Sequence, residues 1–91
     1  MKSILQSKKE CFKCGAICDL HEHHIYGGPN RKISEKNGFK VRLCGHHHNL
    51  SDAGVHFDKA FDLELKQLCQ TEYEKTNTRQ NFINLIGRNY L

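Results

Sequence analysis

A chain of 91 residues with seven histidines and five cysteines is long enough for one domain, and short enough that its core usually needs a staple. No apolar run approaches the ~20 residues that cross a bilayer, the cysteine count is odd, and Met1-Lys2-Ser3-Ile4-Leu5-Gln6 carries no apolar signal core. These features exclude a membrane span and a disulfide scaffold, and predict a cytoplasmic protein of a reducing compartment.

In chain order, residues 1–10 read as an N-terminal extension, followed by a tight turn at Cys11-Phe12-Lys13-Cys14-Gly15. Two strands are predicted over residues 20–26 and 39–43, the second alternating Phe39, Val41 and Leu43 with Lys40 and Arg42, and they can form one antiparallel pair. Between them Gly27-Gly28-Pro29-Asn30 is a turn signal, and the first half otherwise reads as loop. The knuckle Cys44-Gly45-His46-His47-His48-Asn49 follows. From Phe57 to Lys75, residues Phe57, Ala60, Phe61, Leu65, Leu68, Cys69 and Tyr73 recur at helical spacing, with Asp58 or His56 at the start. Thr76-Asn77-Thr78 ends this helix and caps a second over residues 79–86, which stops at Gly87 before a tail, Asn89-Tyr90-Leu91, that folds back on the core. The class is α+β, a single domain with its chemistry in residues 11–57 and two C-terminal helices in residues 58–91.

Cys11 and Cys14 present two thiolates from one turn, and Cys44 and His47 repeat that two-residue spacing, so the four form a Cys3His set for structural zinc. Cys18 or His21 could replace a ligand, and His46 could stand in for His47. Cys69 on the helix face reads as a packed thiol.

The net charge of +4 is uneven: residues 1–50 hold nine Lys/Arg against four Asp/Glu, and residues 51–91 hold five against six. The basic half is also the half rich in metal-ligand types. Arg31, Lys32, Lys36, Lys40 and Arg42 are therefore candidates for phosphate contact with a nucleic acid, the plain alternative being a solvated surface. His23 and His24 are neighbours, and in a regular strand neighbours point to opposite faces. A phosphodiester hydrolase needs a base for water and a cation for the developing charge, two tasks that adjacent histidines can divide.

In order and spacing, His23-His24 followed by Cys44-Gly45-His46-His47-His48 resembles the HNH, or ββα-metal, endonuclease family, over about residues 11–57. The resemblance implies a zinc-stapled ββα-metal core. It implies His23 as a ligand of the catalytic metal, His24 as general base, His47 on structural zinc, and His48 on the catalytic metal at the opening of the short helix. His56 would be a further ligand, or a histidine capping Asp52 or Asp58. The family's middle asparagine falls at Phe39 here, with Asn37 the nearest substitute and Asn49 another polar candidate. His21 shares strand parity with His23, but reads as a surface histidine. His46 has no firm role.

The resemblance further implies a nuclease cutting DNA to a 5′-phosphate and a 3′-hydroxyl, with magnesium, manganese, zinc or nickel as the divalent catalytic ion. Size and organisation also resemble small phage or prophage proteins, including recombination-associated nucleases, so a phage or recombination protein is a candidate partner. One site per chain implies nicking unless two copies meet on the duplex. The competing class is a zinc-stabilised nucleic-acid-binding or adaptor module with a degenerate centre; an assembly protein is a third.

Overall fold

A computed structural model describes residues 2–48 and 54–91. Asn49 and Asp52, named above, lie outside the described residues. Strands β1 (Leu20–His24) and β2 (Lys40–Cys44) form an antiparallel pair, with His23 opposite Val41 and His24 opposite Lys40. Side-chain alternation places His21, His23, Val41 and Leu43 on the inner face, and Glu22, His24, Lys40 and Arg42 on the outer one. The two strands were expected from their alternation; β1 ends two residues earlier than predicted, at His24, because Ile25 and Tyr26 turn into the core.

Between the strands, where loop was predicted, Pro29 lies in a short 3-10 turn leading into helix α1 (Arg31–Asn37). This helix carries almost no apolar stripe. It is fixed by polar means: buried Ser34 donates to the Tyr26 carbonyl at 2.7 Å and accepts from the Tyr26 N–H at 3.2 Å. Gly38 ends it in the left-handed conformation and donates to the Ser34 carbonyl.

Helix α2 (Gly45–His48) grows directly out of β2, so helical structure begins at Gly45, three residues ahead of the expected His48 start. Helix α3 (Lys59–Tyr73) is capped by the Asp58 carboxylate, which accepts from the Phe61 N–H at 3.0 Å. It buries Phe61, Leu65 and Cys69, whereas Phe57, Ala60 and Leu68, predicted for the same stripe, are exposed. Helix α4 (Arg79–Ile86) is capped by Thr78 and stopped by Gly87, as expected.

Val41 and Leu43 of β2 join Ile25, Tyr26, Phe39, Phe61, Leu65, Phe82 and Ile86 in one buried cluster. Tyr26 sits among Phe39, Phe82 and Tyr90 at centroid distances of 5.4 to 5.6 Å, and its hydroxyl donates to the Lys66 carbonyl at 2.7 Å. The tail folds back as expected, with the Tyr90 N–H donating to Gln70 Oε1 at 2.8 Å. Among the described residues no helix is long and apolar enough to cross a membrane.

The N-terminal extension runs along the sheet: the Ile4 N–H donates to the Gly38 carbonyl, the Ser3 hydroxyl to the Lys40 carbonyl, and the Arg42 N–H to Gln6 Oε1. A Cβ at Gly38 would stand 2.1 Å from the Lys2 carbonyl oxygen, at a φ of +75°. Gly38→Ala is therefore expected to destabilise the metal-loaded protein by about 1–3 kcal/mol in urea unfolding. Gly27→Ala, where a Cβ meets nothing within 4 Å, should stay within about 0.5 kcal/mol.

Candidate metal centres

The turn at Cys11 is closed by the Gly15 N–H donating to the Cys11 carbonyl, and pinned to the sheet by the Phe12 N–H donating to the Arg42 carbonyl, each at 2.8 Å. That brings Cys11 and Cys14 up to the β2–α2 junction. Cys14 Sγ lies 3.8 Å from Cys44 Sγ, Cys11 Sγ lies 3.7 Å from His47 Nδ1, and Cys44 Sγ lies 3.4 Å from the same nitrogen. A tetrahedral zinc with Zn–S of about 2.3 Å and Zn–N of about 2.0 Å has sulfur–sulfur edges of about 3.8 Å and sulfur–nitrogen edges of about 3.5 Å. The four donors match that figure and can bind a metal such as zinc.

Electrostatics agree with the geometry. Burial pushes the Cys11 thiol up, but backbone donors at Cys44, Cys14 and Lys13, together with the His47 ring, outweigh it and bring the pKa down to about 6. Cys14 receives a favourable donation from Ala16, yet desolvation and the Cys11 and Cys44 sulfurs raise its pKa above the ordinary value. Cys11 thus ionises readily while Cys14 resists, as closely placed thiols do in the absence of a neutralising cation.

Cys18 and Cys69 take no part among the described residues: Cys18 is exposed, and Cys69 is buried on α3 with its thiol pushed up to about 12 by desolvation. His46 is exposed beside His47, with ring centroids 4.7 Å apart.

His48 turns away from this set. His23, His48 and His56 offer nitrogens that all lie within 4.8 Å of one another, and the Nε2 atoms of His48 and His56 are 3.1 Å apart. Two ligands on one ion at about 2.0–2.1 Å are separated by about 2.9 Å in octahedral and 3.3 Å in tetrahedral geometry. His56 reaches this position because the chain folds back on α2, with the Val55 N–H donating to the His47 carbonyl at 2.8 Å.

His23 is the telling member. Its Nε2 is the one buried side-chain nitrogen or oxygen among the described residues without a hydrogen-bond partner, an omission that costs about 1–3 kcal/mol unless something accepts its lone pair. Desolvation, reinforced by His48, His56, His24 and Lys66, pulls its pKa to about 3. Burial, with the His56 and His21 rings, also lowers His48. Both rings are held neutral, the state in which imidazole binds metal.

His21, read from sequence as a surface residue, is half-buried, with Nδ1 3.0 Å from His48 Nδ1 and Nε2 3.2 Å from the Asp19 carboxylate. It orients His48 from behind. Strand parity with His23 was the available signal.

His24 points to the other face of β1, yet lines the same cleft as His23, His48, His56 and Arg31, an opening of about 290 Å³. Gly27 and Gly28 form its wall. His24 Nε2 lies 2.9 Å from Glu35 Oε1, and Glu35 escaped the sequence reading because α1 did. Asn37 does not brace this loop: its amide donates to the Ile33 carbonyl of its own helix at 2.8 Å. Phe39, at the place expected for an asparagine, is core.

Of the candidate phosphate-contacting residues, Arg31, Lys32 and Lys36 are exposed on α1, and Arg42 is half-buried on the outer sheet face. Lys40 is engaged, 2.6 Å from Glu35 and 3.4 Å from Glu22. Comparisons of this chain with known protein families, curated proteins and solved structures find no match.

Cys14→Ala is expected to lower bound zinc by one equivalent per chain and abolish cooperative thermal unfolding, since in small metal-stapled domains binding energy is folding energy. Cys18→Ala should leave zinc content and melting unchanged; the readouts are atomic absorption and circular dichroism.

Proposed function

We propose that this chain is a metal-dependent DNA endonuclease of the HNH, ββα-metal type, nicking or structure-directed, with a structural zinc on Cys11, Cys14, Cys44 and His47. The observation that carries the reading is the orphaned, buried His23 Nε2 facing His48 and His56, with His24 on the same cleft. A packed core histidine would have found a partner. Three converging imidazoles beside a fourth, carboxylate-bonded imidazole supply a ligand set and a base within one small opening.

When bound by His23, His48 and His56, a divalent ion supplies Lewis-acid stabilisation of the charge that builds on the scissile phosphate and its departing oxygen. The neutral donors leave that charge undiminished, which suits an anionic diester, and on softness they favour zinc, manganese, nickel or cobalt, with magnesium the harder alternative. His24 takes the proton of the attacking water. Arg31, on the cleft wall, offers its guanidinium to a phosphate oxygen. Lys32, Lys36 and Arg42 add the long-range attraction that brings DNA to the site. The products would be a 5′-phosphate and a 3′-hydroxyl.

The second reading, a zinc-stabilised binding or adaptor module, is favoured by one observation: Phe39, sealed in the core, stands where the HNH asparagine would be. Both readings predict DNA binding, and only one predicts cutting. The zinc-loaded protein, incubated with supercoiled plasmid and with branched and single-stranded DNA, is expected to cut in the presence of magnesium, manganese, zinc or nickel but not with the catalytic ion withheld. His24→Ala should slow cutting by ~100-fold or more while retaining one zinc per chain. Wild-type protein that binds DNA but cuts under no metal condition would establish the binding module instead.

A further inference from the structure

On the outer face of the sheet, Glu22, His24 and Glu35 offer three donor atoms within 4.8 Å of one another. That spacing would suit a cation, but a cation already stands there: Lys40 Nζ lies 2.6 Å from Glu35 Oε2 and 3.4 Å from Glu22 Oε1. The cluster is an ion-pair network with an imidazole at one end. It belongs to neither metal set.

We propose that Glu35 is a positioning residue for the base: its carboxylate accepts the His24 Nε2–H, fixing the tautomer whose Nδ1 takes the proton of the attacking water, and Lys40 clamps that carboxylate from its other oxygen. An ionised carboxylate only accepts hydrogen bonds, so at 2.9 Å from Glu35 Oε1 it is His24 Nε2 that carries the hydrogen. A neutral imidazole has a single N–H, so its lone pair is on Nδ1. That atom makes no hydrogen bond with the described residues, and it is not sealed, since only His23 Nε2 is both buried and unpartnered among them. The accepting nitrogen is therefore left accessible, on a ring that lines the cleft holding the His23, His48 and His56 donors.

The brace is itself braced. Lys40 first, then His24, hold the Glu35 pKa down at about 2, so Glu35 remains a carboxylate throughout the working range. Glu35 follows Ser34, whose hydroxyl is locked in two hydrogen bonds to the Tyr26 backbone. The helix bearing the carboxylate is thus tied to the exit of the strand bearing the histidine. This arrangement replaces the support that an asparagine at position 39 would have lent, and gives Lys40 a structural task instead of a phosphate contact.

The inference rests on the nuclease reading. Its test is steady-state plasmid nicking by the zinc-loaded protein with its divalent ion, comparing wild type, Glu35→Ala and Glu35→Gln, together with the ¹⁵N shifts of the His24 ring. Glu35→Ala is expected to lower kcat by 10- to 100-fold with KM within about twofold, and to turn His24 into a mixture of tautomers. Glu35→Gln, whose Oε1 still accepts from Nε2–H, should stay within about tenfold of wild type in kcat and retain one tautomer. Wild-type nicking matched by Glu35→Ala, or a loss of activity with an unchanged His24 tautomer, would overturn the positioning role alone. Wild-type protein that cuts nothing would overturn the nuclease reading and this inference with it.

Discussion

The structure turns on the junction where β2 becomes α2 without a connecting loop. A strand sends successive side chains to opposite faces, and a helix sends them about 100° apart. Cys44 closes the strand, and His47 and His48 lie on the first helical turn. Cys44 and His47 therefore meet Cys11 and Cys14, while His48, one residue further, swings toward His23 and His56. A short segment serves two donor sets because its backbone changes period in the middle, and a one-residue shift would exchange their ligands.

The same junction couples stability to chemistry. Thiols brought within 4 Å cannot all ionise without a cation, and a buried imidazole nitrogen without a partner is a cost that ordinary packing does not repay. Both penalties sit at the sheet, next to Val41 and Leu43, at the edge of a small core. A 91-residue chain has little apolar surface with which to offset them. Metal at the Cys3His set would turn the first penalty into folding energy and, by fixing α2, hold His48 where the second is relieved.

The paired strands, α3, α4 and their caps at Asp58 and Thr78 were legible because each rests on a local signal: alternation, helical spacing, or an oxygen-bearing residue ahead of an apolar run. The Cys3His set was legible from spacing, and the split between His47 and His48 from the resemblance to the HNH pattern. Helix α1 was not, because Ile33 is its single large apolar side chain and it is held by Ser34 through hydrogen bonds that leave no periodicity. Pro29 before it and Gly38 after it were the available punctuation. Missing α1 hid Glu35, and with it the reason Lys40 is occupied. Leu68 was assigned to the core because it falls at helical spacing, but the stripe that α3 buries is narrower, running through Phe61, Leu65 and Cys69. That His56 joins the histidine set depends on the fold-back after α2, which spacing alone left open.

The central claim is that one knuckle divides its ligands between two chemically distinct ions. X-ray absorption on protein loaded first with one equivalent of zinc and then with one of nickel tests it directly. The account predicts a zinc edge fitted by three sulfurs and one nitrogen at about 2.3 and 2.0 Å, and a nickel edge with imidazole nitrogens and no sulfur. Sulfur at the nickel edge, or a zinc shell of nitrogen and oxygen alone, would contradict it.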